Sequence, residues 1–198
     1  MLNERITENF VRDLLRKNSY YDIDNQIIIE EQKSQDKRIQ QLLKTASKSG
    51  SGNGGYPEFI ISWLSDPNFI LVVECKADTK NHESKLRDNP KDYAVDGVLL
   101  YSSFVSKEFD VLSIALSGTE DNYEVSAFWQ LKGTDEIQEV KSDDLLPYEN
   151  YLRLILESDA AFHRDYSQLL SYAKLLNAAL HKKKIKESYR ALLISGVL

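Results

Sequence analysis

Residues 57–78, PEFIISWLSDPNFILVVECKAD, constrain the fold more than any other stretch. Two β-prone apolar runs flank SDPN, a pattern that predicts a pair of strands joined by a turn. Both runs carry charge at one end: Glu58 opens the first, and Glu74 and Lys76 close the second. Side chains alternate faces along a strand, so Glu74 and Lys76 share one face and Cys75 points to the other, into the core. Register decides whether Glu58 joins them. If Leu64 stands opposite Asn68, as a three-residue connection of Ser65, Asp66 and Pro67 allows, Glu58 faces Glu74. A two- or four-residue turn sends Glu58 to the opposite face.

The rest of the chain supplies helices around such a sheet. ERITENFVRDLLRK, residues 4–17, sets Ile6, Phe10, Val11, Leu14 and Leu15 on one helical stripe, with Glu4 and Glu8 at its edge. QIII reads as a short strand that runs into a polar helix ending near LLKTASK. SGSGNGG, residues 49–55, reads as a plain linker loop; with no Lys-Ser or Lys-Thr after it, it is not a phosphate-binding P-loop. TKNHESKLRDNPK reads as a mobile loop and YAVDGVLLYSSFV as a helix. EFDVLSIALSGT and NYEVSAFWQLKG alternate again, as two strands around GTEDN. An acidic connector then leads to helices over 146–157 and 162–198. The expected fold is α/β, a mixed, mainly antiparallel sheet of four or five strands flanked by helices, with a helical C-terminal extension.

Composition narrows the class. No apolar run approaches the roughly 20 residues that span a bilayer, and MLNERITENF is charged and helix-like rather than a signal peptide. The single Cys75 rules out an intrachain disulfide and a cysteine-rich zinc site, and fits a reducing compartment, the cytoplasm of a bacterium or archaeon. The net charge of -6 is unevenly spread. Residues 120–150 hold nine acids against Lys132 and Lys141, a net of -7, so the remainder carries +1. A phosphate-binding face is therefore compatible with the acidic total.

Two carboxylates one strand apart repel unless a positive charge lies between them. A hard divalent cation such as Mg²⁺ does this with one or two carboxylates, filling its other positions with water and phosphate. An adjacent ammonium, Lys76, serves to orient or deprotonate a water or to stabilise charge on phosphate. These are the parts needed to hydrolyse a phosphodiester.

PE at 57–58, an apolar hairpin, and ECK at 74–76 together resemble the PD-(D/E)xK nuclease signature. The resemblance implies that Glu58 and Glu74 bind the metal and that Lys76 assists the attacking water; Glu58 stands where Asp is commoner. It further implies an acid from the first helix, best matched by Glu8 with Glu4 as the alternative, and a supporting residue on the helix after ExK, where Tyr93 is the match. The layout over residues 4–130 is most similar to the N-terminal endonuclease domain of type I restriction subunits and of fused endonuclease–adenine methyltransferases. That resemblance implies a nuclease domain over 1–145, a helical connector over 146–198, and an onward methyltransferase domain using S-adenosylmethionine. The apolar, uncapped ending ESYRALLISGVL fits such a connector; folding back onto the core or packing on a partner are its other readings. The implied partners are double-stranded DNA and methyltransferase and specificity domains or subunits, with no membrane.

Blander readings stand beside these. Glu8 is also an ordinary helix-surface residue, Tyr93 a packing residue, Trp63 and Trp129 core residues, and HKKKIK at 181–186 a solvated helix face. His82, His163 and His181 show no ligand spacing. The functional alternatives are a nuclease of the same fold acting in repair or transposition, and a non-catalytic nuclease-like module that binds DNA or protein.

Overall fold

The computed structural model describes residues 3–22, 26–48, 52 and 54–156 continuously, with isolated positions between 173 and 190. The helix expected over 162–198 lies outside the continuously described residues. Two compact units are present, 1–151 and 152–198. No helix among the described residues is long and apolar enough to cross a membrane.

The first unit is built on a six-stranded sheet in chain order: β1 (Ile27–Glu31), β2 (Phe59–Trp63), β3 (Phe69–Lys76), β4 (Asp110–Thr119), β5 (Asn122–Gln130) and β6 (Ile137–Val140). Every neighbouring pair is antiparallel except β3 and β4. That parallel pair needs a crossover, which α3 (Ala94–Val105) supplies. The expected fold class holds, with one strand more than anticipated. The additional strand is β6, whose sequence IQEV lies in the acidic connector and offers a single buried residue, Val140, as a core signal.

Helix α1 (Glu4–Lys17) covers one face of the sheet. Asn3 caps it by accepting from the Arg5 N–H at 3.1 Å. Its buried stripe is Thr7, Val11, Leu14 and Leu15. The stripe is rotated from the one expected: Ile6 is half exposed, and Thr7 faces inward because its hydroxyl donates to the Gly118 carbonyl on β4 at 2.7 Å. The other face of the sheet packs on α2 (Lys37–Leu43) and α3 through Ile39, Leu43, Ile60, Val72, Val98 and Tyr101.

One loop and the final glycine of another stretch are better held than their composition suggests. The segment after β3 forms a 3₁₀ turn at Thr79–Asn81, and the buried Asp96 of α3 then accepts from the backbone N–H of Ser84 (3.1 Å) and of Asn89 (2.9 Å). This is a pinned loop, not a free one. Gly55, at the end of the glycine-rich stretch, is buried and donates to the Leu43 carbonyl at 2.7 Å. A Cβ there would lie 2.5 Å from the Ala46 carbonyl oxygen and 2.6 Å from the Tyr101 ring, so only glycine fits this approach.

A helix α4 (Tyr148–Leu156) follows the sheet where one was expected. Its Tyr148 ring stacks on Trp63, with centroids 4.2 Å apart, and meets Phe69 edge-on at 5.3 Å. The core assignment of Trp63 and Trp129 is correct.

Candidate active site

The register that decides the site is Phe59↔Val73, Ile60↔Val72 and Ile61↔Leu71. Extended by one residue, it sets Glu58 abreast of Glu74, on the same face of the sheet. The connection from Leu64 to Asn68 has an odd number of residues, which this register requires.

Glu74 is completely buried, with no side-chain exposure. It fits there because α3 carries Gly97 against it: a Cβ at 97 would stand 3.1 Å from Glu74 Cγ and 3.4 Å from Cδ. One carboxylate oxygen, Oε1, is in direct contact with Lys48 Nζ and lies 3.7 Å from Lys76 Nζ. The other, Oε2, is buried with no hydrogen-bond partner among the described residues. Burial raises the carboxyl from 4.5 to about 7, against the pull of Lys48 and then Lys76, while Glu58 pushes it the same way as burial.

Glu58 is half-buried and accepts a hydrogen bond from the Gln32 side chain. Burial and then the neighbouring Glu8 charge raise its carboxyl, opposed by Lys48 and by the Gln32 bond. Gln32 itself sits in the left-handed region (φ 59°), with its N–H donating to the Glu58 carbonyl at 3.3 Å. A non-glycine residue held at such an angle stores strain, which the surrounding bonds must offset.

The first helix delivers its acids from the other side. Glu4 accepts from Lys76 Nζ at 3.0 Å. Glu8, one turn on, lies toward Glu58 and 3.6 Å from Arg12, which also forms a two-pronged pair with Glu31 at 2.8 and 2.7 Å. The anchor of Thr7 to Gly118 fixes which way this turn faces. Lys76 thus contacts Glu4 and lies near Glu74, while Glu58, level with Glu74, feels the charges of Glu8 and Glu4.

Tyr93 is the N-cap of α3, half-buried and without a side-chain capping bond. The tyrosine of α3 that borders the site is Tyr101. Its ring faces Lys48 Nζ at 5.4 Å, its hydroxyl accepts from the Tyr56 N–H at 3.2 Å, and burial and the Glu74 charge push its phenol up. Lys48 and Gln32 escaped sequence reasoning, because each lies outside the strand motif and neither follows a helical or strand period. His82 is structural: its ring nitrogens bridge Ser117 and Ser126 at 2.8 Å each, and burial pulls its pKa down.

Open clefts flank the carboxylates. One, of about 790 Å³, is lined by Glu4, Lys76, Asn81 and Lys91 among others. Another, of about 520 Å³, runs from Gln32 past Lys33, Lys37 and Lys44 to Gly55.

Among the described residues, no three acidic, histidine or cysteine side chains stand close enough together to form a ready-made metal cage. The arrangement is a carboxylate pair with ammonium counter-charges and one unsatisfied buried oxygen. An all-oxygen donor set of this kind fits a hard cation that keeps most of its water.

No family model and no solved structure matches the chain. The type II restriction enzyme and methyltransferase RM.BcgI of Heyndrickxia coagulans is 28% identical over 165 residues, an alignment covering 74% of this chain and 24% of that protein. The chain therefore spans about a quarter of the relative's length, and it is similar to part of a restriction enzyme joined to a methyltransferase.

Proposed function

We propose that this chain is the Mg²⁺-dependent DNA endonuclease portion of a restriction–modification enzyme, of the PD-(D/E)xK type. The observation that carries the reading is the buried Glu74, level with Glu58 across the hairpin and left with one unpaired oxygen. A buried acceptor without a partner costs about 1–3 kcal/mol, and a bound cation would relieve it.

In this reading Glu74 and Glu58 hold the metal, with Glu8 in support. The bound ion supplies Lewis acidity toward the scissile phosphate and a more acidic water. Lys76 has its ammonium between Glu4 and Glu74, where it orients the attacking water and steadies charge on the phosphate. The sheet makes these placements rigid, since β3 is buried along its whole length. Lys33, Lys37 and Lys44 on one side, and Lys91 on the other, suit a polyanionic backbone running across the site. In this reading phosphate contacts position the DNA on this chain, and sequence recognition is assigned to another domain or subunit. The similarity to a restriction enzyme and methyltransferase supports a joined or partner methyltransferase, with S-adenosylmethionine as that domain's cofactor.

Purified protein incubated with plasmid and Mg²⁺ tests the proposal. Cleavage is expected with Mg²⁺, is abolished by a chelator, and is lost in Lys76→Ala. Cleavage undiminished in Lys76→Ala would overturn the assignment of Lys76, and duplex binding without cleavage in any divalent cation would favour a non-catalytic module.

A further inference from the structure

We propose that Lys48 is the resident counter-ion of this site: its ammonium occupies Glu74 Oε1 and competes with a divalent cation for the negative charge of that carboxylate. The inference rests on the metal-site reading above and adds a residue to it. Lys48 belongs to neither the hairpin nor the ExK triplet. It reaches Glu74 from the segment after α2, and its ammonium lies near the Tyr101 ring as well as the carboxylate.

The two partners of the pair are unequal. Glu74 has no exposure and is braced by Gly97, so it cannot leave. Lys48 keeps 19% of its side chain exposed and has a flexible four-carbon stem, so it can withdraw toward water. Lys76 cannot take over this role, because its closer partner is Glu4 at 3.0 Å, with Glu74 Oε1 at 3.7 Å. A dication approaching the unpaired Oε2 therefore meets a carboxylate whose other oxygen, Oε1, already holds an ammonium. Like charges at such a distance repel strongly where water is excluded. Lys48 holds the buried carboxylate in place before the metal arrives, and gives ground when it does.

Mn²⁺ binding to the full chain without DNA, read by the loss of the free-ion EPR signal at pH 8.5, tests this. Lys48→Met is expected to bind Mn²⁺ about tenfold tighter than wild type, because a competing charge has gone. Lys48→Arg, which keeps the charge, is expected to stay within about threefold of wild type. Lys44→Met removes a lysine of the neighbouring groove that makes no contact with Glu74, and is expected to change affinity by less than about twofold. Equal affinity in wild type and Lys48→Met would overturn the role of Lys48 while leaving the metal site standing. So would a Lys44→Met effect as large as that of Lys48→Met, which would reveal a general field. Absence of Mn²⁺ binding in both wild type and Lys48→Met would overturn the metal site itself.

A second measurement guards against a Lys48→Met protein that fails to fold. The Lys48 side-chain ammonium signal in NMR, identified by its absence in Lys48→Arg, should move toward the free-lysine position as Mg²⁺ is added to wild type. A signal that stays fixed while Mg²⁺ perturbs the Glu58 and Glu74 carboxylates would refute the competition.

Discussion

The hairpin of β2 and β3 ends in two opposite chemistries. At one end Trp63 and Phe69 meet at 5.2 Å, Trp63 stacks on Tyr148, and Phe69 stacks on Trp129 at 5.5 Å. At the other end Glu58 and Glu74 stand side by side, both held above the usual carboxylate range by burial. The same register produces both, yet one end contributes stability and the other consumes it. Aromatic packing of this kind adds about 0.5–1.5 kcal/mol per pair beyond area burial. A buried carboxylate with an unpaired oxygen works in the opposite direction. A protein keeps such a costly end where the cost is tied to a task, and the anchoring end supplies the rigidity that makes it tolerable.

Substitutions at the two ends should separate these contributions. The largest effect is expected at the charged end: Lys76→Ala should lower Mg²⁺-dependent cleavage by about 10²–10⁴-fold with little change in melting temperature. At the aromatic end, Trp63→Ala should cost about 3–5 kcal/mol in denaturant unfolding, while the molecules that remain folded cleave normally. A Trp63→Ala protein that is stable but inactive would collapse the distinction between the two ends.

Glu74→Gln offers a finer test through pH. The folded-state carboxyl lies at about 7 against 4.5 in the unfolded chain, so between these values the folded protein binds more protons. Wild-type stability contributed by this group is intact below pH 4.5, falls as pH rises toward 7, and is fully lost above it. Glu74→Gln escapes that loss. It should be more stable than wild type at pH 8.5, by up to about 3 kcal/mol, and no more stable at pH 4.5. Equal melting curves at both pH values would show that the buried charge carries no such cost.

Gly97→Ala presses a methyl group on the carboxylate from behind, 3.0 Å from the Pro90 carbonyl oxygen and 3.1 Å from Glu74 Cγ. It should cost about 1–3 kcal/mol and reduce cleavage together, the two effects being coupled through Glu74. Tyr93→Phe should change stability by less than about 0.5 kcal/mol in denaturant unfolding, since this side chain makes no capping bond.

Much of this architecture was legible in the residues. Alternation in FIISW, FILVVECK, DVLSIALSGT and NYEVSAFWQ marks four strands, and the 3.6-residue period marks α1. β6 was hidden because IQEV buries one residue and sits among acids, so pairing with β5 rather than apolar content defines it. The inward turn of Thr7 was equally hidden, since the hydroxyl's partner is a carbonyl 111 residues away.

By itself, the sequence determined the strand pair and the same-face placement of Glu74 and Lys76, because alternation along a strand is a local property of the backbone. It left the side of Glu58 open between two registers. Tertiary structure decided that question, and decided also that Lys48, Gln32 and Gly97 attend the carboxylates, because such meetings depend on packing between distant segments. A charge on one loop and a cavity on another helix become partners only when the chain closes, and no local pattern records them.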